Sequence, residues 1–179
     1  LLNQQSPDIS QGVDQSTGDI GAGDQGIMFG FASSETSDLM PAAITYARML
    51  CDKVYNYALN HNQKLGVDIK TQVTVDYGTK ENFENCNPQK IHTIVVSAPS
   101  VESMPIEEVR ELIQGLIDDA GLPTSMYDKK STIIHINPTG RYVNHSSLHD
   151  SGLTGRKLIV DSFGGYAPIG GGAQSSKDY

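Results

Sequence analysis

The 179-residue sequence predicts an α+β fold: a two-layer β-α-β-β-α-β unit with one sheet face covered by two helices and the other left as an interface. Two observations carry this. Two stretches place apolar residues three and four apart, the period of a helix packed on one side. Between and around them lie short apolar or alternating runs, the pattern of strands. Two amphipathic helices against a handful of strands make two layers.

The elements follow in order. Gly26–Ala32 is a short apolar run suited to a buried strand. Pro41 opens a helix to about Asn60, with Ile44, Ala47, Leu50, Cys51, Val54 and Ala58 on its inner side. Gln72, Thr74 and Asp76 alternate with Val73, Val75 and Tyr77, a half-exposed strand. Ile91–Ala98 is a further strand, in which Ile94, Val95 and Val96 form a continuous run that directs apolar side chains to both faces. That run is the reason for expecting the second face to be an interface with another domain or subunit. Ser103 is placed to cap a second helix, with Pro105 in its first turn and Glu107 and Glu108 at its positive end. Its inner side is Ile106, Val109, Leu112, Ile113, Leu116 and Ile117, and Gly121 ends it. Ser131–Asn137 is a fourth strand and Lys157–Ser162 a fifth. Residues 1–19 read as a polar loop without helical or strand period.

Composition excludes several functions. With 13 Lys and Arg against 21 Asp and Glu, the net charge is −8 and the pI near 4.9. An acidic chain is a poor match for nucleic acid, where affinity comes from cations on phosphates. No apolar run approaches the ~20 residues of a membrane-spanning helix, so neither nucleic acid nor membrane is an expected partner. Cys51 and Cys86 are too few and too far apart for a disulfide framework or Cys-x-x-Cys metal site. A reducing, cytoplasmic setting fits them. Leu1–Asp19 carries no signal-peptide pattern, and both termini read as interior loops of a longer protein.

Each motif has a plainer reading beside the functional one. Gly21-Ala22-Gly23-Asp24-Gln25-Gly26 matches Gly-x-Gly-x-x-Gly, but a dinucleotide site needs a strand before it and a helix after it, whereas here a polar loop precedes it and the strand-like Ile27–Phe31 follows. Gly164-Gly165 and Gly170-Gly171-Gly172-Ala173, followed by Lys177, could cradle an anion through backbone N–H groups; a linker fits them equally. His145 and His149 are four apart, yet lie in a loop-like stretch rather than on the helix that zinc spacing requires. Asn144-His145-Ser146 is also a glycosylation sequon. Neither cysteine has the setting of a nucleophile. Arg141, Arg156 and Lys157 cluster beside strand ends in an acidic chain, which suits an anionic ligand, with Arg able to grip phosphate through two bonds. Ordinary surface charge is the competing account.

Taken together, the motifs closely resemble the S-adenosylmethionine synthetase (methionine adenosyltransferase) family. The resemblance rests on Gln5-Ser6-Pro7-Asp8-Ile9 with Gln11-Gly12-Val13, on Gly21–Phe31 (GAGDQGIMFGF) and on Asp68–Val75. It rests further on His92–Ser97, Asn137–Val143 (NPTGRYV) and Asp150–Gly165 (DSGLTGRKLIVDSFGG). These stretches occur in the family's order and span nearly the whole chain. The resemblance implies a mobile active-site loop at 1–19, a central β-α-β-β-α-β domain at 20–142 and the start of a C-terminal domain at 143–179. It implies a transferase that forms S-adenosylmethionine from ATP and L-methionine and releases phosphate and pyrophosphate. It also implies two Mg²⁺, a K⁺ and a homodimer or tetramer with sites at subunit interfaces.

Residue by residue, the resemblance places Lys70, Arg156 and Lys157 in catalysis, on the phosphates. ATP would be held by Asp68, Lys70, Arg141, Tyr142, Asp150, Arg156, Lys157, Ala173 and Lys177. Methionine would meet Gln5, Asp24 and Asp150. No metal ligand is assigned within this chain, because the family's N-terminal domain carries a His-Pro-Asp-Lys segment with the catalytic His and a Mg²⁺ ligand. The family usually reads Ile-Gly-Gly-Pro at Asn144–Ser147, where the backbone is expected to differ, and has His at Ile169 and Phe at Gln174, which leaves the second glycine-rich signature imperfect. The 179 residues alone are expected to fold, to associate and to be inactive. The alternative is a shortened homologue that binds nucleotide or pairs with a catalytic subunit.

Overall fold

The structure is a computed structural model that describes residues 4, 6–14, 16–19, 21, 29–143, 145 and 157–169. The chain divides into two compact units, residues 32–152 and residues 1–31 with 153–179.

In the larger unit, helix α2 (Ala42–Asn60) follows Pro41, and strand β1 (Lys70–Asp76) pairs antiparallel with β2 (Lys90–Ser97). Helix α4 (Ile106–Asp118) crosses over to β3 (Ile133–Ile136), which pairs parallel with β2, so the sheet order is β1-β2-β3. A short helix α3 (Lys80–Glu84) lies in the β1–β2 connection, where the Thr79 hydroxyl accepts the Asn82 N–H. The α+β character is as expected.

One core joins both helices to one sheet face. Leu50 and Val54 of α2 and Val109, Ile113 and Ile117 of α4 are fully buried with Ile94 and Val96 of β2. Burying a side chain of this size contributes about 1.5–3 kcal/mol. The register steps between Thr74 and Val75: Thr74 faces Thr93, but Val75 faces Ile91. The extra residue on β2 is a bulge that turns Ile91 onto the face of Ile94 and Val96. Ile91 is 1 % exposed as a result.

Several expectations need correction. The 94–96 run does direct apolar side chains to both faces, Ile94 and Val96 toward the helices and only Val95 away from them. It shares the open face with Lys70, Gln72, Thr74, Thr93, Ser97, Ile133 and His135. That face is mostly polar, so the apolar ground for an interface there reduces to Val95 and Ile133. Phe29–Ala32 is not a strand; Gly30 interrupts the run, and Phe29 and Phe31 are exposed. Gly26–Met28 lies outside the described residues. Ser103 does not cap α4: the N-cap is Pro105, whose ψ of 147° keeps it extended and delays the first turn to Ile106.

The smaller unit holds two more departures. Residues 7–13 form helix α1 (Pro7–Val13) rather than a loop. Pro7 sits at its first position, where a missing N–H is harmless, and Asp8 lies at its positive end. The stretch expected as a strand at 157–162 is helix α5 (Leu158–Asp161). A short apolar run does not distinguish strand from helix. Here the Asp161 N–H bonds the Lys157 carbonyl at 2.9 Å, and the Ser162 hydroxyl bonds the Leu158 carbonyl at 2.6 Å. Gly164 and Gly165, both at positive φ, end the turn.

The C-terminus of α4 is pinned by charge. Asp118 accepts bonds from Gln114 (3.0 Å), Tyr127 (2.7 Å) and Lys129. Burial alone would raise its pKa, but Lys129, Tyr127 and Gln114 outweigh it and hold the carboxyl below the usual range. Burial and then Asp118 push the Tyr127 phenol up to about 12. A depressed carboxyl pKa gives stability that is present above the unfolded value near ~4 and lost as pH falls through the folded one. Asp118→Asn is therefore expected to lower Tm at pH 7 by about 2 °C and to flatten the decline in Tm below about pH 4. Parallel Tm curves for both proteins across that window would rule out this linkage.

Candidate functional site

The site grows from how the strands end. β2 and β3 run parallel, so Ser97 and Ile136 finish at the same end of the sheet. β1 is antiparallel to β2 and begins there, with Lys70 opposite Ser97. Three segments therefore gather at one end: residues 64–70, 97–102 and 137–143 with His145. Loops beyond the C-terminal ends of parallel strands are where α/β folds hold ligands.

Hydrogen bonds tie the segments together. Leu65 bridges Ser100, the Gly66 N–H bonds the Pro99 carbonyl at 2.8 Å, and the Val101 N–H bonds the Lys64 carbonyl at 3.1 Å. The Ser100 N–H reaches the Tyr142 carbonyl at 2.9 Å. Tyr142 donates its phenol O–H to the Asp68 carboxylate, and Arg141 donates from Nη2 to the Glu102 carbonyl at 2.6 Å. A cavity of ≈ 440 Å³ opens between Glu102, Arg141, Tyr142 and Val143. Its neighbour of ≈ 420 Å³ shares Glu102 and Val143 and reaches Gly66 and His145. A larger cavity of ≈ 740 Å³ lies between α4 and the β3 edge, lined by Arg110, Lys129 and His135 among others. It includes none of the residues expected at the site.

Asp68, Lys70, Arg141 and Tyr142, all expected from the family resemblance, are thus brought to one end of the sheet. Asp68 and Tyr142 are half-buried, while Lys70 and Arg141 are exposed. Lys157 heads α5 in the other unit and is exposed. Among the described residues, the ion pairs are Lys53–Asp119, Lys80–Glu84, Lys90–Asp76 and Lys129–Asp118. None of these engages Lys70, Arg141 or Lys157. Gln5, Asp24, Asp150, Arg156, Ala173 and Lys177 lie outside the described residues, as does His149. Burial, then Asp52, pushes the Cys51 thiol up despite a bond from Thr71, the opposite of an activated nucleophile.

Two participants had no signal in residue type. Glu102 takes part through its backbone carbonyl. Asn137, seen only as the start of a loop motif, is 2 % exposed and holds Ala98 through both atoms of its amide. No group of three or more His, Cys, Asp or Glu side chains able to hold a metal occurs among the described residues. No described helix is long and apolar enough to cross a membrane.

Fold and site together define a two-layer α+β protein with a cation-bearing, loop-built sheet end. Residues 19–142 match the S-adenosylmethionine synthetase central domain, and residues 145–179 match the S-adenosylmethionine synthetase C-terminal domain. The chain therefore belongs to the S-adenosylmethionine synthetase family. It is 43 % identical to an S-adenosylmethionine synthase of Salinibacter ruber over 179 residues, covering 99 % of this chain and 45 % of that protein. It is 47 % identical to one of Nitrobacter hamburgensis over 184 residues, covering 99 % and 44 %. The solved structure of an unusual S-adenosylmethionine synthetase from Campylobacter jejuni matches with 70 % identity and a TM-score of 0.83, over 97 % of this chain and 42 % of that one. The chain spans less than half the length of these relatives.

Proposed function

We propose that the chain is the central part of an enzyme that makes S-adenosylmethionine from ATP and L-methionine and releases phosphate and pyrophosphate. The observation that carries this reading is the meeting of Asp68, Lys70, Arg141 and Tyr142 at one sheet end, with Lys70 and Arg141 in no ion pair among the described residues. In the reaction, the methionine sulfur attacks C5′ of ATP. The C5′–O bond breaks, and its electron pair leaves with the triphosphate, which is then hydrolysed. Charge on the leaving oxygens grows as that bond breaks, so cations fixed beside them act most strongly in the transition state.

Lys70, Arg156 and Lys157 are assigned to those oxygens. Arg141 and Tyr142 are assigned to the adenine side, Tyr142 held in place by Asp68. Asp150, Ala173 and Lys177 complete the ATP contacts, and Gln5, Asp24 and Asp150 meet methionine. Among the described residues, no group of three or more His, Cys, Asp or Glu side chains is placed to hold Mg²⁺ or K⁺. Two Mg²⁺ and a K⁺ enter the proposal with ligands mostly outside this chain. The partition into 1–19, 20–142 and 143–179, a cytoplasmic homodimer or tetramer, and inactivity of these residues alone belong to the same reading.

The complete protein incubated with ATP, methionine, Mg²⁺ and K⁺ should yield S-adenosylmethionine, phosphate and pyrophosphate. ATP binding without product would support the shortened, non-catalytic homologue instead. α1 has no buried residue, which places it among segments that open at little cost. Its amides should exchange fast in the free enzyme and slow when ATP and methionine are bound. Equal exchange in both states would remove residues 1–19 from the role of a lid.

A further inference from the structure

We infer that His145 is a positioning residue for the nucleotide, a plug that seats the Arg141–Val143 segment in a niche made by Gly66. A Cβ at Gly66 would lie 2.5 Å from His145 Nε2, 2.6 Å from Cε1 and 2.9 Å from Pro99 Cγ. Contacts that close do not occur between real atoms, so the imidazole fills the volume any other residue at 66 would take. Gly66 itself is fixed by its N–H on the Pro99 carbonyl, inside the paired 64–66 and 99–101 segments.

Residues 141–143 and His145 are then held at three places: Arg141 on the Glu102 carbonyl, Tyr142 on Ser100 and Asp68, and His145 in the niche. The first two leave the segment free to pivot about Tyr142; the third removes that freedom beyond Val143. His145 Nδ1 is buried without a hydrogen-bond partner among the described residues. An orphaned polar atom costs stability, so tighter folding alone does not account for an imidazole there. The role of His145 is to fix residues proposed to hold ATP, not to touch the reacting atoms, and it rests on that proposed reading of Arg141 and Tyr142.

The test uses the complete enzyme, with steady-state kinetics in both substrates. His145→Ala should raise KM for ATP about tenfold, while kcat and KM for methionine stay within about twofold. Gly66→Ala should do the same by expelling the ring. In the His145→Ala background only the 2.9 Å approach to Pro99 Cγ remains, so adding Gly66→Ala should cost far less than the roughly tenfold it costs alone. Tyr142→Ala serves as the reference. If it leaves KM for ATP unchanged, the assignment of the site itself fails. If it raises KM for ATP while His145→Ala does not, or if the two niche variants simply multiply, the positioning role fails and the site stands. Should Gly66→Ala not fold, the His145→Ala comparison with Tyr142→Ala still decides.

Discussion

Lys70→Met in the complete enzyme is expected to lower kcat by about a hundredfold, the scale seen when one group stabilising transition-state charge is removed. The backbone of Lys70 is set by its pairing with Ser97 at the start of β1, so its Cα cannot drift. The ammonium lies on the sheet face that the helices leave open and makes no ion pair among the described residues. Methionine keeps the length of the lysine stem and removes only the charge. An interaction that strengthens as the triphosphate departs should lower kcat more than it raises KM for ATP. KM for methionine should stay within about twofold, because the lost charge is the one proposed to face the phosphates. An unchanged kcat, with the variant folded as judged by its Tm, would take Lys70 out of the chemistry.

What the sequence made legible was periodicity. α2 and α4 show their inner residues at three-and-four spacing, and the structure buries Leu50, Val54, Val109, Ile113 and Ile117 accordingly. β1 alternates and is found within two residues of its expected position. Illegible were features set by partners distant in sequence. The bulge that brings Ile91 beside Ile94 exists only in the register between β1 and β2. α5 and the expected strand share the same apolar letters, and local bonds to the Lys157 and Leu158 carbonyls decide between them. α1 escaped because a seven-residue helix with no buried side chain has no period to read.

The site divides along the same line. Motifs supplied Asp68, Lys70, Arg141 and Tyr142 as separate expectations. That Tyr142 bonds Asp68 across 74 positions follows from strand direction, which no short motif encodes. The Gly66 niche for His145 likewise depends on two segments 79 positions apart (145 − 66 = 79) meeting only after the sheet has formed.

Asn137 connects that sheet to the site, and its replacement should produce the largest loss of stability. Its side chain accepts the Ala98 N–H at 2.9 Å and donates to the Ala98 carbonyl at 3.0 Å, while its own N–H bonds the Val96 carbonyl at 2.9 Å. One amide thus extends the β2–β3 pairing by a step before the chain turns toward Arg141. Its φ of 44° is left-handed, a conformation Asn tolerates better than Ala. Asn137→Ala would strand both polar groups of fully buried Ala98, at about 1–3 kcal/mol each, and add about 1 kcal/mol of backbone strain. A total near 4 kcal/mol corresponds to a fall in Tm of about 10 °C or more. Asn137→Gly should fall less, because it relieves the strain but not the lost bonds, so the difference between the two variants isolates the backbone contribution. At temperatures where both variants remain folded, KM for ATP should rise, since the 138–142 segment loses its anchor while Lys70 keeps its own. A Tm within about 1 °C of the parent would show that the Asn137 amide is not what ties this loop to the sheet.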